Sequence, residues 1–116
     1  MEELRFNEDD KVVRVAMEIV IAAGEARNEA SKALDAVKDF DFARARGHME
    51  AANEQIRKAH NAQTEMIQAE IAGTEKFEPS LLFNHAQDTL MTVMSELHLT
   101  EKMVDVFEGF YQKMEG

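Results

Sequence analysis

A chain of 116 residues suffices for one compact domain with its own hydrophobic core and is too short for two with separate cores. Asp and Glu number 23 against 13 Lys and Arg, a formal net charge of -10, so the surface repels phosphate backbones and anionic lipids and excludes nucleic acid as a natural partner. The absence of cysteine removes disulfides, thiolate metal sites and cysteine nucleophiles.

The chain opens Met1-Glu2-Glu3 rather than with a basic region and an apolar stretch, and Arg14 and Glu18 interrupt the longest early apolar segment well short of a membrane span. The expected location is the cytoplasm, with no direct membrane insertion. One proline and five glycines among plentiful Ala, Glu, Met and Lys make a helix-forming composition.

From about Asn7, a plausible N-cap, apolar residues fall at Val12, Ala16, Ile19, Ala23, Ala30, Leu34 and Val37, close to the helical repeat. This predicts a first helix over roughly 8–38. The segment Lys38-Asp39-Phe40-Asp41 interrupts it and offers an Asp to cap the next start. A second run, Phe42, Ala45, Met49, Ala52, Ile56, Ala59, Gln63 and Met66, alternates steps of three and four, the spacing of a bundle seam, and ends near Gly73. It predicts a helix over roughly 42–72. Pro79 suits the first turn of a third helix, where its missing N–H costs nothing, and that helix is expected over roughly 80–114. Short connections make neighbours antiparallel, so the predicted fold is all-α, an up-down-up three-helix bundle forming a single domain over 1–116.

The third helix carries a seam at Ala86, Leu90, Val93, Leu97, Val104, Phe107, Tyr111 and Met114 that packs into the chain's own bundle. Leu81, Met91, Leu99, Met103, Val106 and Phe110 lie largely off that seam, more apolar circumference than two neighbouring helices cover. Another copy of the same helix is the simplest partner, because closed homo-oligomers are the usual way to bury such a surplus. Asp88 lies about 200° around the helix from Leu90 and so points toward the expected subunit contact. Two readings are open for it: a solvated acid beside the interface, or one of several symmetry-related carboxylates whose repulsion a hard cation such as Mg²⁺ neutralises.

Four histidines are present, and imidazole, nucleophilic when neutral with a reference pKa of about 6.5, suits reversible phosphoryl transfer. Only His85 stands in an unusual context, with Asp88, Thr89 and Thr92 at i+3, i+4 and i+7 on its side of an otherwise apolar helix. His60 and Gln63 share one side of the second helix, where a buried hydrogen bond from Gln63 is expected rather than chemistry. His48 and His98 have no supporting constellation.

The run His85-Ala86-Gln87-Asp88-Thr89-Leu90-Met91-Thr92 resembles the signature around the phosphorylated histidine of the lactose/cellobiose/chitobiose family of IIA proteins, components of the bacterial sugar phosphotransferase system. Ala23-Gly24-Glu25-Ala26-Arg27, Asp41-Phe42-Ala43 and Ala59-His60-Asn61-Ala62-Gln63-Thr64 resemble further segments of that family in the same order. The resemblance implies a homotrimer of three-helix subunits in which His85 accepts phosphate from phospho-HPr and passes it to a cognate IIB component. It also implies that Asp88 from each subunit meets a metal, Mg²⁺ or a similar divalent cation, on the threefold axis. Sugar in such systems is bound by the IIC component rather than by this chain, and Ala86 looks more like the cellobiose/chitobiose branch than the lactose branch. Thr89 departs from the family, which usually has a second histidine directly after the aspartate; a hydroxyl hydrogen-bonds phosphate but carries no positive charge. Thr89 and Thr92 are the expected hydrogen-bond partners of the phosphate, and Gln87 is expected to reach a neighbouring subunit's site.

Two rival readings remain. A di-iron helical bundle needs paired Glu-x-x-His motifs, and no histidine here has Glu three residues before it. A non-catalytic oligomeric interaction module that has kept only the IIA fold explains the apolar surplus equally well.

Overall fold

The computed structural model describes residues 10–74 and 80–115. Three α-helices hold nearly all of them: α1 (Lys11–Lys38), α2 (Phe42–Ala72) and α3 (Leu81–Glu115), and no strand occurs among the described residues. Helix α1 begins at Lys11, one residue before the first position of its apolar repeat, Val12. Asp10 is its N-cap, accepting the backbone N–H groups of Val12 at 2.9 Å and Val13 at 3.4 Å, two of the donors a helix start leaves unpaired. The expected cap at Asn7 lies outside the described residues.

The turn between α1 and α2 is built by backbone geometry. Phe40 N–H donates to the Val37 carbonyl at 2.9 Å and Asp41 N–H to the Ala36 carbonyl at 3.0 Å, the paired closing bonds of a Schellman motif. Phe40 occupies the left-handed position, φ 59°, that glycine usually fills. Its ring offsets part of that cost by stacking on Tyr111 of α3, centroids 4.7 Å apart. Asp41 then caps α2, its carboxylate accepting the Arg44 N–H at 3.1 Å. Helix α2 ends on the same motif with Gly73 at φ 79° and Thr74 N–H closing onto the Ala69 carbonyl. Ser80 opens α3 by accepting the Phe83 N–H at 3.1 Å. Pro79 lies outside the described residues.

Every position of the expected α2 seam is buried or half-buried, from Phe42 to Met66. The buried face of α1 is mostly alanine, from Ala16 to Ala36, and so small a surface lets the other two helices approach closely. The core has two centres. One joins Ala23 to Val37 of α1 with Phe42 to Ala52 of α2 and Val93, Leu97 and Val104 of α3. The other joins Val15 to Ala22 of α1 with Ala59 and Met66 of α2 and Ala86 and Leu90 of α3.

The α3 seam departs from expectation in its C-terminal half. Thr100, between the seam positions Leu97 and Val104, is buried, and its hydroxyl donates to the Glu96 carbonyl at 2.8 Å. Phe107 and Met114 are exposed instead. For Met114 the reason is local: Tyr111, one turn before it, already meets the α1–α2 turn through Phe40 and Phe42, so the bundle ends there and Met114 has nothing to pack against. Off the seam, Leu81, Met91, Leu99, Met103, Val106 and Phe110 are all exposed in the single chain.

Candidate functional site

The N-terminal half of α3 holds the candidate residues His85, Gln87, Asp88, Thr89 and Thr92. Ala86 and Leu90 are completely buried and anchor this stretch, which turns His85 and Asp88 outward, where both are exposed. At about 100° per residue, His85, Thr89 and Thr92 fall within roughly 60° of one another, so an imidazole and two hydroxyls line one flank of the helix. Thr89 is half-buried and Thr92 exposed. Among the described residues neither the His85 ring nor the Asp88 carboxylate makes a hydrogen bond or ion pair. His85 is therefore uncommitted: a ring nitrogen lone pair is available to an incoming electrophile, and the Thr89 hydroxyl lies one turn on along the same flank.

Gln87 points elsewhere. It lies about 200° around α3 from His85, half-buried, and its Oε1 accepts a hydrogen bond from Nε2 of Gln63 on α2 at 3.0 Å. The expected bond of Gln63 on the bundle seam is thus present, and its partner is Gln87. His60, one turn before Gln63, is exposed.

A bidentate ion pair holds the His85 flank of α3 against α1: Arg27 donates to Glu96 through Nε at 2.8 Å and through a terminal nitrogen at 3.0 Å. That pairing holds the Glu96 carboxyl below its ordinary range and raises Arg27, in each case chiefly through the hydrogen bond and then through the opposite charge. On the opposite flank Arg46 of α2 pairs with Asp105 and Glu108 of α3. His48 is engaged elsewhere: its Nδ1 lies 2.7 Å from Glu29 Oε1, which lowers the Glu29 pKa, and the pair bridges α2 to α1. His98 is exposed and stands apart.

Sequence reasoning missed the Arg27–Glu96 clamp and the pairing of the two glutamines. Arg27 entered only within a family segment and Glu96 not at all, because partners on different helices leave no periodic signal. No group of three or more His, Asp or Glu side chains able to hold a metal occurs among the described residues of one chain. Asp88 fits a shared hard cation to this extent: it offers oxygen ligands, is exposed and has no partner among the described residues.

Residues 14–108 match the family profile described as PTS system, Lactose/Cellobiose specific IIA subunit. The lichenan-specific phosphotransferase enzyme IIA component of Bacillus subtilis is 36% identical over 100 residues, covering 86% of this chain and 90% of that protein. The N,N'-diacetylchitobiose-specific EIIA component of Escherichia coli K12 is 36% identical over 101 residues, covering 87% and 86%. The crystal structure of the PTS cellobiose-specific enzyme IIA from Bacillus anthracis superposes with a TM-score of 0.84 at 32% identity, over 96% of this chain and 98% of that one. A IIA chain from the solution structures of the Escherichia coli IIA(chitobiose)–HPr complex superposes with a TM-score of 0.74 at 34% identity, over 86% and 96%. On its three-helix fold, its signature around His85 and these likenesses, the chain belongs to the lactose/cellobiose-specific IIA family of the sugar phosphotransferase system.

Proposed function

We propose that this chain is a cytoplasmic phosphocarrier that accepts a phosphoryl group from phospho-HPr on His85 and passes it to a cognate IIB component during uptake of a cellobiose-, chitobiose- or lactose-type disaccharide. The observation that carries the reading is the exposed, uncommitted His85 on a firmly anchored stretch of α3, with Thr89 and Thr92 on its flank. In the transfer a neutral ring nitrogen of His85 attacks phosphorus; the P–N bond to the donor histidine breaks as the new P–N bond forms. The same nitrogen gives the group up to the next acceptor. Phosphoryl transfer asks mainly for alignment and tolerance of charge, which a rigid helix and two hydroxyls supply. The solved complex of a related IIA chain with HPr supports that donor. No helix among the described residues is long and apolar enough to cross a membrane, in keeping with sugar binding by a separate IIC component.

The subunit is read as an up-down-up bundle, supported by the core centre that joins the end of α1 to the start of α2 and by Gln63 meeting Gln87. The working form is a homotrimer associated through α3. Leu81, Leu99, Val106 and Phe110 fall on its outward stripe, interrupted by the polar segment that holds His85 and Asp88. Asp88 from three copies would hold Mg²⁺ or a similar divalent cation, which supplies positive charge against their mutual repulsion. Thr89, where the family usually has histidine, leaves the phosphoryl group with a neutral neighbour.

Incubation with phosphoenolpyruvate, Enzyme I and HPr, followed by intact mass, tests the reading. One phosphate per chain is expected, lost in acid and absent from His85→Ala. No phosphate on the wild-type chain beside a working IIA control refutes it and leaves an oligomeric interaction module that has kept the IIA fold.

A further inference from the structure

The bond between Gln63 and Gln87 has a direction. A carboxamide offers one acceptor oxygen and two N–H donors. Gln63 donates from Nε2 to Oε1 of Gln87, so the oxygen of Gln87 faces inward and its amino group is what remains to be offered outward. Among the described residues that amino group has no other partner. The outward group therefore suits an anion with acceptor oxygens. Turning both amides over together would keep one hydrogen bond between them but present an oxygen, which repels such an anion.

We infer that Gln63 is a positioning residue for phosphoryl transfer: it holds Gln87 with its N–H donors free for the phosphoryl group on His85 of a neighbouring copy. The neighbouring copy is required because Gln87 and His85 of one chain lie about 200° apart around α3. The inference deepens the carrier reading and rests on it. Gln63 touches neither the phosphoryl group nor His85 and acts only through Gln87, which makes the claim one about coupling between two side chains.

Such coupling is measured by a double-mutant cycle on the full chain. Single-turnover formation of phosphohistidine from phospho-HPr is followed for wild type, Gln63→Met, Gln87→Met and the double variant, with thermal melts to confirm folding. Gln87→Met is expected to slow transfer about tenfold, the scale of one hydrogen bond to a charged oxygen. Gln63→Met slows it by several-fold, and the double variant is no slower than Gln87→Met alone. Where Gln63→Met fails to fold, Gln63→Glu takes its place. This variant only accepts when ionised, so it turns Gln87 over, and the slowing should persist at high salt, where a bare charge effect is screened.

A wild-type rate in the folded Gln63 variant, or defects that multiply in the double variant, overturns the inference and leaves the carrier reading standing. A wild-type chain that takes up no phosphate overturns both.

Discussion

Truncating Leu90 to alanine probes the anchor beneath the site. Leu90 is completely buried beside Ala86 in the core centre that also contains Ile19, Ala59 and Met66. The substitution removes three carbons, about 2.4 kcal/mol at about 0.8 kcal/mol each. The cavity left between rigid helices closes only in part and brings the total to roughly 3–4 kcal/mol. At about 4 °C per kcal/mol for a domain of this size, the melting temperature falls by roughly 12–16 °C. Urea unfolding followed by far-ultraviolet circular dichroism measures the loss directly, at one fixed protein concentration because association raises apparent stability. The same truncation at Leu99, 61% exposed, is the control. In dilute solution it shifts the fold by less than about 0.5 kcal/mol, while weakening self-association at higher concentration. A loss below about 1 kcal/mol for Leu90→Ala would refute the packing argument, since truncating a leucine to alanine in a closed core costs at least about 2 kcal/mol.

The Arg27–Glu96 pair contributes at most about 1 kcal/mol because both side chains are about half exposed. Glu96 is held below its ordinary pKa, so this contribution is complete above the usual carboxylate range and disappears as pH falls through the lowered folded value. The stability gap between wild type and Glu96→Gln should accordingly shrink between pH 7 and pH 3 in urea titrations, and a constant gap would show that the charge plays no part. Nothing lies within 4 Å of a Cβ built on Gly47, an exposed position inside α2, so Gly47→Ala is expected to raise stability by about 0.5–1 kcal/mol. Gly73→Ala has the same free space but a φ of 79° and should lower stability by about 1 kcal/mol, both changes being read from chemical melts. If Asp88 from three copies shares a cation, elemental analysis after gel filtration should find one divalent ion per three chains and none in Asp88→Asn; equal metal in both would remove Asp88 from the site.

Much of the fold is legible along the chain because its signals are local. The seam from Phe42 to Met66 repeats every three to four residues and is buried or half-buried throughout, and Asp41 caps α2 as its place before that run suggests. The start of α1 was less legible, since Asn7, Asp9 and Asp10 are all capping types and only backbone geometry identifies Asp10 as the residue that accepts the Val12 and Val13 N–H groups. Thr100 escaped notice because a polar residue reads as solvent-facing until its hydroxyl finds the Glu96 carbonyl within its own helix. Periodicity alone puts Phe107 and Met114 in the seam, and it carries no information about which turns of α3 the neighbouring helices cover.

The site divides in the same way. His85, Asp88 and Thr92 were recognisable from one helical face and one short signature, and each is exposed on α3. The sequence by itself determined the helices, the Asp41 cap of α2, the surplus of apolar residues on α3 and the family signature around His85. All of these arise from residues within a few turns of each other on one strand of chain. Tertiary structure alone decided that Gln63 meets Gln87, that Arg27 clamps Glu96, and that Thr100 is buried while Phe107 is exposed. Those outcomes depend on which flank of one helix faces which flank of another, and helix packing sets that relation through crossing angle and register, which no spacing along a single helix encodes.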